Sequence, residues 1–115
     1  MSEKRYIDLM AVTAQDENDS PVNGTWLPIT NFREGLLKVE LTVNGGTGIS
    51  ITPKLQTRRS SSHNATDHFV FAAQSATADL HQMLVGLDDA EMRLVVEIAG
   101  TTVDADITAY LAVHR

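Results

Sequence analysis

The chain of 115 residues contains no cysteine, few aromatic side chains and no long hydrophobic run. The lack of cysteine excludes a disulfide framework and a cysteine-based zinc site, so packing must hold the fold together, either within the chain or against other subunits. The early apolar run at residues 9–12 is too short for the core of a signal peptide or for a membrane span. We therefore expect a protein that is made and assembled in the cytoplasm, with no membrane partner.

Basic residues are also scarce. Nine Lys and Arg stand against fifteen Asp and Glu, which gives a formal net charge of −6. Because a general grip on nucleic-acid phosphates needs clustered Lys and Arg, we expect no nucleic-acid partner. The content of 43% hydrophobic and 21% charged residues is ordinary for a globular protein. The length fits one domain, which we expect to span residues 1–115.

What the chain does contain is a strong alternation of apolar and polar residues. Leu37, Val39 and Leu41 fall on one face of such a segment, whereas Lys38 and Glu40 fall on the other. A period of two is typical of a half-buried antiparallel strand, because successive side chains point to opposite faces of the sheet. Four segments follow this pattern: residues 36–43, 49–57, 92–98 and 103–113.

The turn sequences between these segments predict hairpins. The glycine-rich run at residues 44–48 would join the first pair of strands, and residues 99–102 would join the last pair. We expect the last pair to form the centre of the core, with Val96 and Ile107 pointing inward. Three weaker strands are predicted at residues 6–12, 67–72 and 80–87, although residues 76–84 could equally form a helical turn.

Seven or eight one-sided strands are most simply buried in two packed sheets. The sequence therefore predicts an all-β fold, a single-domain antiparallel β-sandwich of jelly-roll or Ig-like type.

The residues that could carry chemistry all have structural explanations. Asp104 and Asp106 alternate along a polar strand face, and the acidic run at residues 16–19 lacks the spacing of a calcium loop. The four histidines, His63, His68, His81 and His114, share no metal-ligand spacing. No nucleophile motif surrounds the serines at residues 60–62. We expect no catalytic residue, no metal, no cofactor and no enzymatic activity.

One polar loop is a candidate for binding another protein. Residues 58–66 form the most basic stretch of an acidic chain and show no periodicity. We expect this loop to be exposed and to contact an acidic patch on a capsid subunit or on a sibling subunit. The candidate interaction residues are Arg58, Arg59, Ser60, Ser61, Ser62 and His63.

The single tryptophan allows two interpretations. Trp26 could stack on a sugar, as in a carbohydrate-binding module. With aromatic residues at only 5% of the chain, we instead expect Trp26 to close one end of the core.

The order of motifs from Trp26 onward resembles a group of small structural proteins of tailed bacteriophages. The resemblance rests on the Gly35-Leu36-Leu37 strand, the Gly-Thr turn at residues 45–48 and the strand that ends in Leu55-Gln56. It continues in the segment Arg-Leu-Val-Val-Glu-Ile-Ala-Gly-Thr-Thr at residues 93–102. In that group an Asp-Gly and Trp turn often follows the Leu-Gln pair, whereas this chain has the serine-rich loop.

The resemblance implies a β-sandwich virion protein without catalytic residues, most simply a head decoration or cement protein on the capsid surface. Its partners would be the major capsid protein or other virion proteins, and we expect a homo-oligomer. Two rival functions remain open: a carbohydrate-binding or host-attachment module of a tail or fibre, and a structural component of the neck or tail. A small enzyme ranks last, because no set of acid, base and nucleophile is visible.

Overall fold

The structure is a computed structural model that describes residues 4–114. Seven strands, all in antiparallel pairs, form one hydrogen-bonded sheet, and no α-helix occurs in the described part of the chain. This confirms the predicted all-β fold of seven to eight strands. The strands are β1 (Lys4–Gln15), β2 (Val22–Asn23), β3 (Leu27–Pro28), β4 (Gly35–Arg58), β5 (Thr66–Val70), β6 (Ala78–Leu84) and β7 (Glu91–His114), and a 3₁₀ turn covers Glu17–Asp19.

Two long strands organise the molecule. Both β4 and β7 have 24 residues, and a straight strand of that length would extend about 79 Å. The longest dimension of the molecule is 45 Å, so both strands must bend. The bend lies near the middle of each strand, where the pairing between them shifts register three times between Val43 and Ser50.

The bend divides the sheet into two layers. The first layer has the strand order β1, β7, β4 and β6. It contains the carboxyl-terminal half of β7 and the amino-terminal half of β4. In the second layer the other halves of β7 and β4 pair with each other, flanked by β2 and β3 on one side and β5 on the other. The inward side chains of both layers belong to one hydrophobic cluster, which is the arrangement of a sandwich.

The core contains the residues that the apolar/polar alternation predicts to be buried. Val96 and Ile107 are both 0% exposed, and they come from different layers of the sandwich. The prediction that these residues lie at the centre of the core is confirmed. The most deeply buried large side chains are Leu37, Leu41, Ile51, Leu55, Leu87, Met92, Leu94, Ile107 and Leu111.

The two predicted hairpins are wrong. Residues 36–43 pair with residues 105–112 of β7, not with residues 49–57, and residues 92–98 pair with residues 51–57 of β4. The glycine-rich run at 44–48 and the segment at 99–102 are bends within continuous strands. Gly46 and Gly100 have positive φ values of 123° and 138°, and such backbone can serve a bend as well as a tight turn.

The structure also decides between the two alternatives for residues 76–84. The segment that could have been a helical turn is strand β6, which pairs with β4 in regular register from Ala78 to Leu84. No helix among the described residues is long and apolar enough to cross a membrane.

Candidate functional site

The two arginines that open the predicted interaction loop are in different surroundings. Arg58 is the last residue of β4, and its Nε donates a 2.9 Å hydrogen bond to Glu91. Its guanidinium lies 4.1 Å from the centre of the Trp26 ring. Arg59, by contrast, is exposed. Arg58 therefore supports the outer face of the second layer, whereas Arg59 is available to a partner.

The rest of the loop is a small hydrogen-bonded turn. The hydroxyl of Ser60 lies 2.7 Å from Nδ1 of His63 and 2.9 Å from the hydroxyl of Ser62. The backbone N–H of His63 also donates to the carbonyl of Ser60 at 3.1 Å. Ser61, Ser62 and His63 are exposed. The loop thus presents hydroxyl and imidazole groups beside Arg59 on a short, locally ordered turn.

Trp26 does not close the end of the core, so that prediction is wrong. The side chain is half-buried on the outer face of the second layer, outside the hydrophobic cluster. Arg58 and Arg93 both place their guanidinium groups against its ring, at 4.1 Å and 4.6 Å from the centroid. Cation–π attraction of this kind holds an indole at a polar surface, which hydropathy alone does not predict.

The outer face of the second layer pairs its own charges. Lys54 Nζ lies 3.2 Å from Glu97 and 3.5 Å from Asp67. The hydrogen bond to Glu97 is the main reason that the pKa of Lys54 lies above its ordinary value. Arg93 donates to the side chain of Gln56 at 3.0 Å. Together with the ion pair between Arg58 and Glu91, these contacts give the charged side chains of this face partners within the chain.

The outer face of the first layer is different. It exposes Tyr6 and Met83, whose exposed fractions are 57% and 55%. Tyr6 also packs edge-on against Tyr110, with ring centres 5.5 Å apart. No ion pair joins the charged residues of this face in the part of the chain that the structure describes. Read across β1, β7, β4 and β6, two adjacent rows of this face are Tyr6, Ala112, Leu36 and Met83, and then Asp8, Tyr110, Lys38 and His81.

The sequence alone did not predict this face, which we call the first-layer face. A signal was present, because Leu36, Tyr110 and Ala112 fall at positions whose neighbours along the strand point into the core. Apolar residues at such outward positions break the alternation. Their significance depends on strand order, which brings them into one row.

Two of the acidic candidates, Asp106 and Asp16, have structural partners, whereas Asp104 is an exposed residue of β7. Asp106 accepts hydrogen bonds from the backbone N–H of Ala14 at 2.9 Å and from the side chain of Asn44 at 3.3 Å. Asp16 accepts from the N–H of Asn18 at 2.8 Å and caps the 3₁₀ turn. Among residues 4–114, no group of three His, Asp or Glu side chains is placed to hold a metal ion.

Comparison with known proteins finds similarity in structure and not in sequence. No protein-family model matches the chain, and no curated protein matches it significantly. The SPBc2 prophage-derived protein YomS superimposes with a TM-score of 0.53 at 16% identity, over 97% of this chain and 95% of YomS.

Proteins of infectious bursal disease virus have the same fold. A chain of the Gx strain matches with a TM-score of 0.56 at 10% identity, and the VP2 subviral particle matches at 0.52 and 10%. Each match covers 98% of this chain, which spans about a third of the viral chains, 32% and 33%. The expected resemblance to structural proteins of bacteriophages is supported at the level of the fold alone, which this chain shares with a prophage-derived protein and with part of a viral particle protein.

Proposed function

We propose that this chain is a non-enzymatic structural protein of a phage particle. The observation that supports the proposal best is the fold, which matches a prophage-derived protein over nearly the whole of both chains and recurs in a viral particle protein. Within this class we propose a decoration or cement protein, which binds the lattice of the major capsid protein from outside the shell.

The mechanism would be mass action. A ligand that binds only the assembled shell stabilises that shell by its binding free energy, and many copies multiply the effect. The protein needs a rigid body and a contact surface for this role, and no reacting group. The sandwich core supplies the rigid body, and the exposed loop at residues 59–63 together with the first-layer face supplies two contact surfaces.

The rival function of a carbohydrate-binding module has weaker support. Such a module stacks sugar rings on exposed aromatic faces, whereas two guanidinium groups already lie against the ring of Trp26. Tyr6 and Tyr110 belong to the other layer, so the three aromatic side chains do not line a common groove.

Copy number in purified particles tests the proposed function. A decoration protein should be present in a number comparable with the major capsid protein, because it follows the same lattice. A neck or tail component should be present in far fewer copies, and quantitative mass spectrometry of particles separates the two cases. Absence from purified particles would contradict every virion role.

Heat release of the genome tests the stabilising role. We expect particles that carry this protein to release their genome at a higher temperature than particles assembled without it, because binding to the intact shell opposes its opening. Dye accessibility of the genome during a temperature ramp measures the difference. Adding back the purified chain should restore the higher temperature, and equal release temperatures would exclude the cement function.

The exposed loop at residues 59–63 supports a separate prediction. If Arg59 meets an acidic patch, Arg59→Glu should weaken particle binding by about tenfold and Arg59→Lys should preserve most of it, since the ammonium keeps the charge. Binding of the parent chain should also weaken as salt is raised. The two variants are compared by cosedimentation with particles that lack the chain. Equal binding of Arg59→Glu and the parent at every salt concentration would remove the loop from the interface.

A further inference from the structure

The first-layer face carries an apolar row across all four strands of its layer. Tyr6 and Met83 lie at its two edges, 57% and 55% exposed, and half-buried Ala112 and Leu36 lie between them. The outer face of the second layer has no such row and satisfies its charges internally. Exposed apolar patches that are rimmed by polar residues are characteristic of contact surfaces.

The order of residues along the two rows fits a second copy of this chain as the partner. In a dimer whose two-fold axis runs parallel to the strands, β1 of one copy faces β6 of the other, and β7 faces β4. The apolar row then meets itself in reverse. Tyr6 lies against Met83 of the second copy, which is a favourable contact between sulfur and an aromatic ring. Ala112 lies against Leu36 of the second copy.

The polar row is also complementary to itself when it is reversed. Asp8 faces His81 of the second copy, so a carboxylate meets an imidazole. Tyr110 faces Lys38 of the second copy, so an ammonium meets an aromatic ring. In the next row, Ala11, Thr108, Glu40 and Asp79, Glu40 faces Thr108 and Asp79 faces Ala11 of the second copy. No two like charges lie directly opposite each other in these three rows. A surface that is complementary to its own reverse is what a closed two-fold interface requires.

We propose that the first-layer face binds a second copy of this chain in a face-to-face, two-fold dimer. The dimer follows from the chemistry of the face and does not depend on a role in a particle. Aligned packing of two sheets keeps their strands within about 30° of each other, which lets each row follow its counterpart across the interface.

The size of the face predicts a weak dimer. Four strands span about 19 Å, and the usable length of the strands is about 20 Å. Each copy would therefore bury about 400 Å², below the roughly 800 Å² per partner of a standard interface. We expect a dissociation constant on the order of 100 µM. Contacts of this strength become effective where copies are held close together, as on a repeating surface.

The test is sedimentation equilibrium of the isolated full-length chain from about 10 µM to about 1 mM, which brackets the expected constant. Met83→Glu places a carboxylate against Tyr6 of the second copy and should weaken the dimer by about tenfold. Tyr6→Lys should weaken it similarly. Val70→Glu, at a 47% exposed position of β5 in the second layer, is the matched control and should leave the constant unchanged.

The double variant tests the pairing itself. Within one chain, positions 6 and 83 lie three strand spacings apart, about 14 Å, so their new charges cannot pair there. Across the proposed interface they meet, and the combination of Met83→Glu with Tyr6→Lys should restore affinity to within about threefold of the parent. Both positions are exposed, and circular dichroism verifies that each variant is folded.

Several outcomes would overturn the dimer. They are a monomeric parent chain at every concentration, equal effects of Met83→Glu and Val70→Glu, and a double variant as weak as the single variants. A monomeric chain whose Met83→Glu variant no longer binds particles would assign the face to another virion protein. Copy number in particles is measured independently, so failure of the dimer is distinguishable from failure of the proposed function.

Discussion

Val96→Asp and Ile107→Asp are each expected to abolish the cooperative thermal unfolding of this chain. Both side chains are 0% exposed and belong to the single hydrophobic cluster between the layers. A carboxylate there would lose its hydration without gaining a partner. The expected cost, more than about 4 kcal/mol, is a large share of the stability of a small domain. Circular dichroism during a temperature ramp measures it.

The control for this prediction is Ala99→Asp. Ala99 is an exposed residue of β7, so the same charge enters the same strand without burial. Its effect should stay below about 1 kcal/mol. A cooperative transition in Val96→Asp or Ile107→Asp near the parent midpoint would contradict the packing of the two layers.

Gly100→Ala should be the next most damaging change, because Gly100 lies at the bend of β7. Its φ of 138° is unfavourable for any residue with a side chain. An added Cβ would lie 2.8 Å from Cγ2 of Val103 and 2.9 Å from the carbonyl oxygen of Thr47. Backbone strain and steric overlap together should lower the free energy of unfolding by about 2–4 kcal/mol. Chemical denaturation measures the loss.

Gly45→Ala is the matched control for the bend. Gly45 lies in the corresponding segment of β4, but an added Cβ would meet nothing within 4 Å. Its substitution should change the free energy of unfolding by less than about 1 kcal/mol. Alanine restricts the unfolded chain more than glycine does, and this loss of unfolded-state entropy favours the folded state. Equal losses from Gly45→Ala and Gly100→Ala would show that close packing at the bend is not the cause.

The bend explains why the alternation of apolar and polar residues predicts the buried side chains correctly but the pairing of strands incorrectly. In β7 the residues of the hydrophobic cluster have even numbers up to Ile98 and odd numbers from Val103 onward. Residues 99–102 therefore include a change of parity, which the sequence displays as an interruption with turn-forming residues. A hairpin and a bend within one strand leave the same pattern, since both reverse or redirect the chain between two one-sided segments.

The sequence by itself determined which residues are buried. A period of two assigns each side chain to a face, and the hydrophobic effect decides which face points inward, so the core around Leu37, Leu94 and Ile107 follows from local information. The same information excluded disulfides and identified residues 58–66 as a polar segment, although Arg58 is the half-buried last residue of β4 and Thr66 is the first residue of β5.

Only the tertiary structure decided which strands are neighbours. Backbone hydrogen bonds are chemically alike in every pair of strands, so they do not specify which strands pair. Strand order therefore determined everything that depends on side chains from distant segments. It placed Trp26 against Arg58 and Arg93, and so separated the two loop arginines into a structural one and an available one. It also aligned Tyr6 with Met83 across four strands, from distant segments of the sequence, in one apolar row.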